Sequence, residues 1–253
     1  MNPSITSTPV WQDEFNQAPG TGPDPAKWVH DLGATGWGNK ELQQYTASRE
    51  NCVVVNDPEA TGGRALVLRA VRMADGGYTS ARLKTQGLFA VTHGRIEARL
   101  KLPRGQGIWP AFWMLGEGFD RVPWPLCGEI DIMELVGHLP GTLHGSLHGP
   151  GYSGTHGLSK STVLPGGGEF SGAYHVFAVD WQPGRIEWLL DGVAYHAVTP
   201  ADLPAGATWV FDRKPFFLLL NLAVGGAWPG YPDATTQFPQ EYRVDYVRVY
   251  GMV

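Results

Sequence analysis

From Gly94 to Leu102 apolar and polar residues alternate: Ile96, Ala98, Leu100 and Leu102 share one face, and Arg95, Glu97, Arg99 and Lys101 the other. A period of two over this length predicts a strand with one wet face. Runs rich in β-branched and aromatic residues, punctuated by Gly and Pro, predict further strands at residues 65–72, 78–83, 108–115, 129–136, 142–148, 175–181, 216–224 and 242–250. Residues 185–190 and 193–198 flank Asp191-Gly192, a dipeptide that supplies the positive φ angles of a two-residue hairpin turn. About ten or more strands and almost no capped helical pattern predict an all-β sandwich or jelly roll of two stacked antiparallel sheets.

Two runs depart from simple alternation. In residues 108–115, Trp109, Ala111, Trp113 and Leu115 form one set, and Ile108, Pro110, Phe112 and Met114 the other. If the second set packs the core, two indole rings line an outer face, where grouped aromatics serve binding; as core filler they would do neither. Residues 129–135 read Glu-Ile-Asp-Ile-Met-Glu-Leu. Burying acids in an apolar strand without a task is costly. Regular alternation puts Glu129 and Asp131 on one face and Glu134 on the other, and a β-bulge near Ile132-Met133 would return Glu134 to the first. Three converging carboxyls cannot all ionise equally, so at least one pKa rises and an acid and a base share a site. That pairing suits glycoside hydrolysis. A divalent-cation site is the competing reading, weakened because the strand alone offers too few oxygen ligands.

Composition narrows the classes. Gly 34 and Pro 20 in 253 residues, with 17% charged residues, argue against a helical bundle, and 43% apolar residues with ten Trp argue against disorder. A net charge of −5 without a basic run excludes nucleic acid as a dominant partner, and no 18-residue apolar stretch predicts a membrane span. Cys52 and Cys127 are too far apart for a CxxC pair and read as two buried free thiols. His138, His144, His148 and His156 lack zinc-site spacing. Met1 before Asn-Pro-Ser resembles a start residue placed on a signal-stripped chain, so the expectation is a secreted, extracellular protein.

Glu129 to Glu134 resembles the active-site signature of glycoside hydrolase family 16, in the longer, bulged form of laminarinase-like endo-β-1,3-glucanases. The resemblance extends through residues 36–45 (GWGNKELQQY), 78–82 (YTSAR), 105–114 (GQGIWPAFWM) and 244–250 (VDYVRVY). It implies a single catalytic domain over residues 1–253, folded as a β-jelly-roll sandwich of two curved antiparallel sheets with a concave substrate cleft. The implied activity is endo-hydrolysis of β-1,3-glucan (laminarin, curdlan) by a monomer that needs no catalytic cofactor. It also implies roles: Glu129 as nucleophile, Glu134 as acid/base, Asp131 between them, and His148 beside the acid/base. Trp109, Trp113, Trp124 and Trp228 would stack on sugar rings, while Asn39 and Arg82 would bond hydroxyls; the alternative for Arg82 is a structural ion-pair partner. A structural Ca2+ would lie between Glu14, Asp245 and a carbonyl near Gly63, far from the chemistry. Relatives that cleave mixed-linkage glucan, agarose or carrageenan, and non-catalytic glucan-binding modules, are the alternatives. The presence of both Glu129 and Glu134 speaks against the last, and the absence of excess basic residues against a sulfated substrate.

Overall fold

The computed structural model describes residues 5–252; Met1 to Ser4, on which the start-residue reading rests, lie outside them. Seventeen strands run along the described residues. The first nine are β1 (Ile5–Asp13), β2 (Val29–His30), β3 (Gln43–Tyr45), β4 (Cys52–Asn56), β5 (Arg64–Arg72), β6 (Tyr78–Ser80), β7 (Arg82–Lys84), β8 (Gly94–Lys101) and β9 (Ile108–Gly116). The remainder are β10 (Glu129–Glu134), β11 (Thr142–His148), β12 (Leu158–Val163), β13 (His175–Gln182), β14 (Arg185–Leu190), β15 (Val193–Val198), β16 (Phe216–Val224) and β17 (Gln240–Met252). No helix among the described residues is long and apolar enough to cross a membrane.

The strands form two sheets. One has ten strands in the order β15-β14-β13-β8-β17-β5-β6-β3, with β1 added on β17 and β4 on β5; the other has seven, β12-β11-β10-β9-β16-β7-β2. Pairing is antiparallel except between β3 and β6, which run parallel. One continuous core lies between the sheets: Leu66, Leu68, Ile96, Ala98 and Leu100 meet Phe112, Met114, Ile130, Ile132 and Leu218 to Leu222 at alternate positions. The wet face of β8 is as its alternation requires, since Arg95, Glu97, Arg99 and Lys101 are only partly covered. The hairpin β14-β15 turns at Asp191 (φ 49°) and Gly192 (φ 80°), the left-handed pair expected of Asp-Gly.

The run 78–83 is one correction. It is two strands, β6 in the ten-stranded sheet and β7 in the seven-stranded sheet, because the chain crosses between layers at the fully buried Ala81. Both crossing neighbours are pinned to β16: Ser80 Oγ donates to the Leu222 carbonyl, and the Leu222 N–H donates to the Ala81 carbonyl. Strands β1, β2, β3, β4 and β12 had no counterpart in the sequence reading. The last has a mostly exposed Leu-Ser-Lys-Ser-Thr-Val pattern, as suits a sheet edge.

Candidate active site

Strand β10 lies inside the seven-stranded sheet between β9 and β11, and its register carries the key local feature. Asp131 pairs with Trp113 but Met133 pairs with Phe112, so the β10 side has one residue more than β9. The β11 ladder slips at the same place, between Asp131/Ser146 and Glu134/His144. Ile132 and Met133 both turn into the core, and Glu134 returns to the outer face that Glu129 and Asp131 occupy. The bulge therefore sits where the sequence placed it. On β9 the core takes Ile108, Pro110, Phe112 and Met114, leaving Trp109 and Trp113 part-exposed beside the acids.

Packing sets the electrostatics of the three acids. Asp131 is nearly inaccessible, and burial holds its carboxyl well above the usual range. Glu129 is likewise raised, first by burial and then by the charges of Asp131 and Glu134, with His148 and Arg82 opposing. Burial, reinforced by Asp131, pushes Glu134 up to about 8 against the pull of His148 and of Trp109. Trp109 Nε1–H donates to Glu134 Oε1 at 3.2 Å. Glu134 is thus set to hold a proton at neutral pH, the state a proton donor needs, while His148 and Arg82 oppose the rise at Glu129 and favour its ionised form, the state a nucleophile needs.

His148 requires a correction. It lies opposite Glu129, not Glu134, with Nε2 at 3.2 Å from Asp131 Oδ2 and 3.7 Å from Glu129 Oε1. Four residues along β11, His144 takes the place across from Glu134. One ligand atom from each of Glu129, Asp131 and His148 falls within 4.8 Å of the others, so this cluster could hold an ion.

The aromatic candidates divide between the two ends of this row. At the Glu134 end, Trp228 stands edge-on to both Trp109 (5.4 Å) and His144 (5.1 Å), and is 44% exposed. Its loop is tied to the loop of Asn39, whose carbonyl accepts the Ala227 N–H. Asn39 Nδ2 donates to Glu41. At the Glu129 end, Trp124 is 42% exposed and 6.1 Å from the His148 ring. Between them Arg82 lies over both Trp37 (4.7 Å) and Trp113 (4.8 Å) while its Nε donates to Asp31 at 2.9 Å. Arg82 is therefore held by a structural ion pair and still sits against the outer-face indole.

Sequence reasoning passed over the group that orients Trp113. Its Nε1–H donates to Asn221 Oδ1 (2.7 Å), Asn221 donates to Tyr45 Oη (3.2 Å), and Tyr45 donates to Glu41 (3.2 Å), which also accepts from Gln43 (2.6 Å). Burial raises the Glu41 pKa even against these donors. The available signal was Asn221 itself, the single polar residue in the nine of β16.

The side chains expected to hold Ca2+ do not fit a cation as they stand. Glu14 accepts two hydrogen bonds from Arg248, and Asp245 accepts from Thr61 and Arg99, so every oxygen of both carboxylates already has a donor. The Gly63 carbonyl accepts the Asp57 N–H. Cys52 and Cys127 are buried free thiols. A separate hollow of about 770 Å³ is lined by Lys101, Arg104, Glu169 and Arg243. Its cations are already paired, with Glu59, Glu169, and Asp57 and Glu241 respectively.

The sequence pattern of Glycosyl hydrolases family 16 matches residues 40–248. A β-glucanase of Rhodothermus marinus is 42% identical over 96% of this chain and 85% of its own length. The solved endo-β-1,3-glucanase of Pyrococcus furiosus aligns with a TM-score of 0.87 at 47% identity, covering 97% of this chain and 94% of that one. The catalytic domain of an endo-1,3-β-glucanase (laminarinase) from Thermotoga petrophila gives 0.87 at 45% identity, covering 98% of each chain.

Proposed function

Because this chain belongs to glycosyl hydrolases family 16, we propose that it is a retaining endo-β-1,3-glucanase whose chemistry is carried by Glu129 and Glu134. The observation that carries this reading is the bulge in β10, which turns Glu134 onto the face of Glu129 and Asp131. Glu129 attacks the anomeric carbon as Glu134 gives its proton to the departing glycosidic oxygen. A covalent glycosyl ester forms, and the C–O bond to the aglycone breaks. Glu134, now ionised, takes a proton from water, whose oxygen displaces Glu129 and restores the β configuration. Asp131, buried between them, disfavours the ionised form of its neighbours, and His148 Nε2 faces Glu129 and Asp131 from the next strand.

Trp109, Trp113, Trp124 and Trp228 supply flat faces for pyranose rings, and Asn39 and Arg82 supply polar contacts at the margins. Laminarin and curdlan are the substrates of this reading, supported by the two endo-β-1,3-glucanase structures, one of them a laminarinase, that align over almost the whole chain. Such polymers do not cross membranes, which supports action outside the cell. A monomer suffices for this chemistry, since Glu129, Asp131 and Glu134 stand on one strand. No metal enters the chemistry proposed here.

The test is stereochemical. Proton NMR of laminarin during cleavage should show the β anomer first, with the α anomer appearing only by mutarotation. Glu129→Gln and Glu134→Gln should each lose several orders of magnitude in laminarin turnover, and on an activated aryl laminaribioside, whose departure needs no proton, azide should rescue Glu134→Gln as a β-glycosyl azide. An α anomer formed first, or a near-normal rate in either variant, would overturn the assignment.

A further inference from the structure

The bulge that aims Glu134 is also held from beneath, by the other sheet. Asp131 is the last residue before both ladders of β10 lose register. Its carbonyl accepts a 2.7 Å hydrogen bond from Trp188 Nε1–H, on β14 of the ten-stranded sheet, and both groups are buried. Trp188 stands at an irregularity of its own, since the β14–β15 ladder slips between Trp188 and Leu189. The two breaks thus meet through the core.

The approach depends on Gly145 of β11. A Cβ there would lie 2.5 Å from Trp188 Cδ1, 2.8 Å from its Nε1 and 2.6 Å from Tyr195 Oη. Only a residue without a side chain leaves room for the indole to pass under β11 to the Asp131 carbonyl. His196 stacks on the indole ring at 4.7 Å.

We propose that Trp188 is a positioning residue for proton transfer: its N–H fixes the Asp131 carbonyl at the bulge and so sets the direction of Glu134. This rests on the reading of Glu134 as acid/base. A small rotation at the bulge would move the Glu134 carboxyl relative to the glycosidic oxygen, and misplacement of about 1 Å costs on the order of a hundredfold in rate. Trp188 touches no substrate, being fully buried.

The experiment compares kcat/KM, which reports steps up to aglycone departure, on two substrates. Laminarin needs a proton on its leaving oxygen, whereas 2,4-dinitrophenyl β-laminaribioside does not. Trp188→Phe removes the donor and keeps an aromatic ring. It should lose roughly ten- to hundredfold on laminarin and less than about threefold on the aryl glycoside, and Glu134→Gln should show the same split in larger measure. Equal losses on both substrates, or none on either, overturn the proposal, since general loosening would not distinguish leaving groups. If Trp188→Phe does not fold, 3-benzothienylalanine at position 188 preserves the shape without the N–H, and the same two outcomes decide. A wild type inactive on laminarin, or a Glu134→Gln variant without the split, would instead fail the underlying reading.

Discussion

A proton held on Glu134 at neutral pH has two measurable consequences, and both the activity and the stability tied to it decline as pH rises. The acid must be protonated to work, so kcat/KM on laminarin should be present below and lost as pH rises through about 8. An alkaline limb centred below about 6.5 would contradict the role of burial here. For stability, the unfolded chain ionises Glu134 near the ordinary value of about 4.3, whereas the folded protein keeps the proton until about 8. In that window the folded state binds more protons than the unfolded one, so stability falls as pH rises. Glu134→Gln, inactive as it should be, is expected to melt ~3 °C or more above wild type at pH 8 and within about a degree of it at pH 4. Thermal melts of both proteins at the two pH values check this.

At the scale of elements, β10 was legible because its chemistry opposes its pattern: three acids in an apolar run demand either partners or a shared face, and alternation says where a bulge must fall. The β9 indoles were legible for the same reason. Their support was not, since Glu41, Tyr45 and Asn221 come from distant stretches and meet only once β3 and β16 are placed. The place of His148 was misjudged because cross-strand register, not sequence distance, decides which acid it faces. Ala81 hid a change of sheet inside what reads as one strand. Trp113→Ala should weaken binding of long glucans by roughly 1–3 kcal/mol, the scale of lost aromatic contact, with an unchanged far-UV circular dichroism spectrum. Loss of the folded spectrum would instead assign Trp113 to the core. Asn221→Leu is the companion, because it leaves the ring in place and removes the acceptor that orients it.

Across the whole molecule, the ion pairs of Glu14 with Arg248 and of Asp245 with Arg99 bind early and middle segments to the last strand, away from the acids. Asp245→Ala would leave Arg99 short of its counter-ion and Thr61 without its acceptor. A loss of roughly 1–3 kcal/mol in urea unfolding is expected, with laminarin turnover unchanged. The pairing of β1 with β17 puts Ile5 beside Met252, and this adjacency makes the order of the chain separable from its shape. A circular permutant that joins Met252 to Ile5 by a short Gly/Ser linker, and opens within the exposed Gly166-Gly167-Gly168 turn, should fold and cleave laminarin. Its two new ends would then leave the molecule from the turn after β12, the strand that borders the catalytic sheet, and a fused binding module would be carried at that edge.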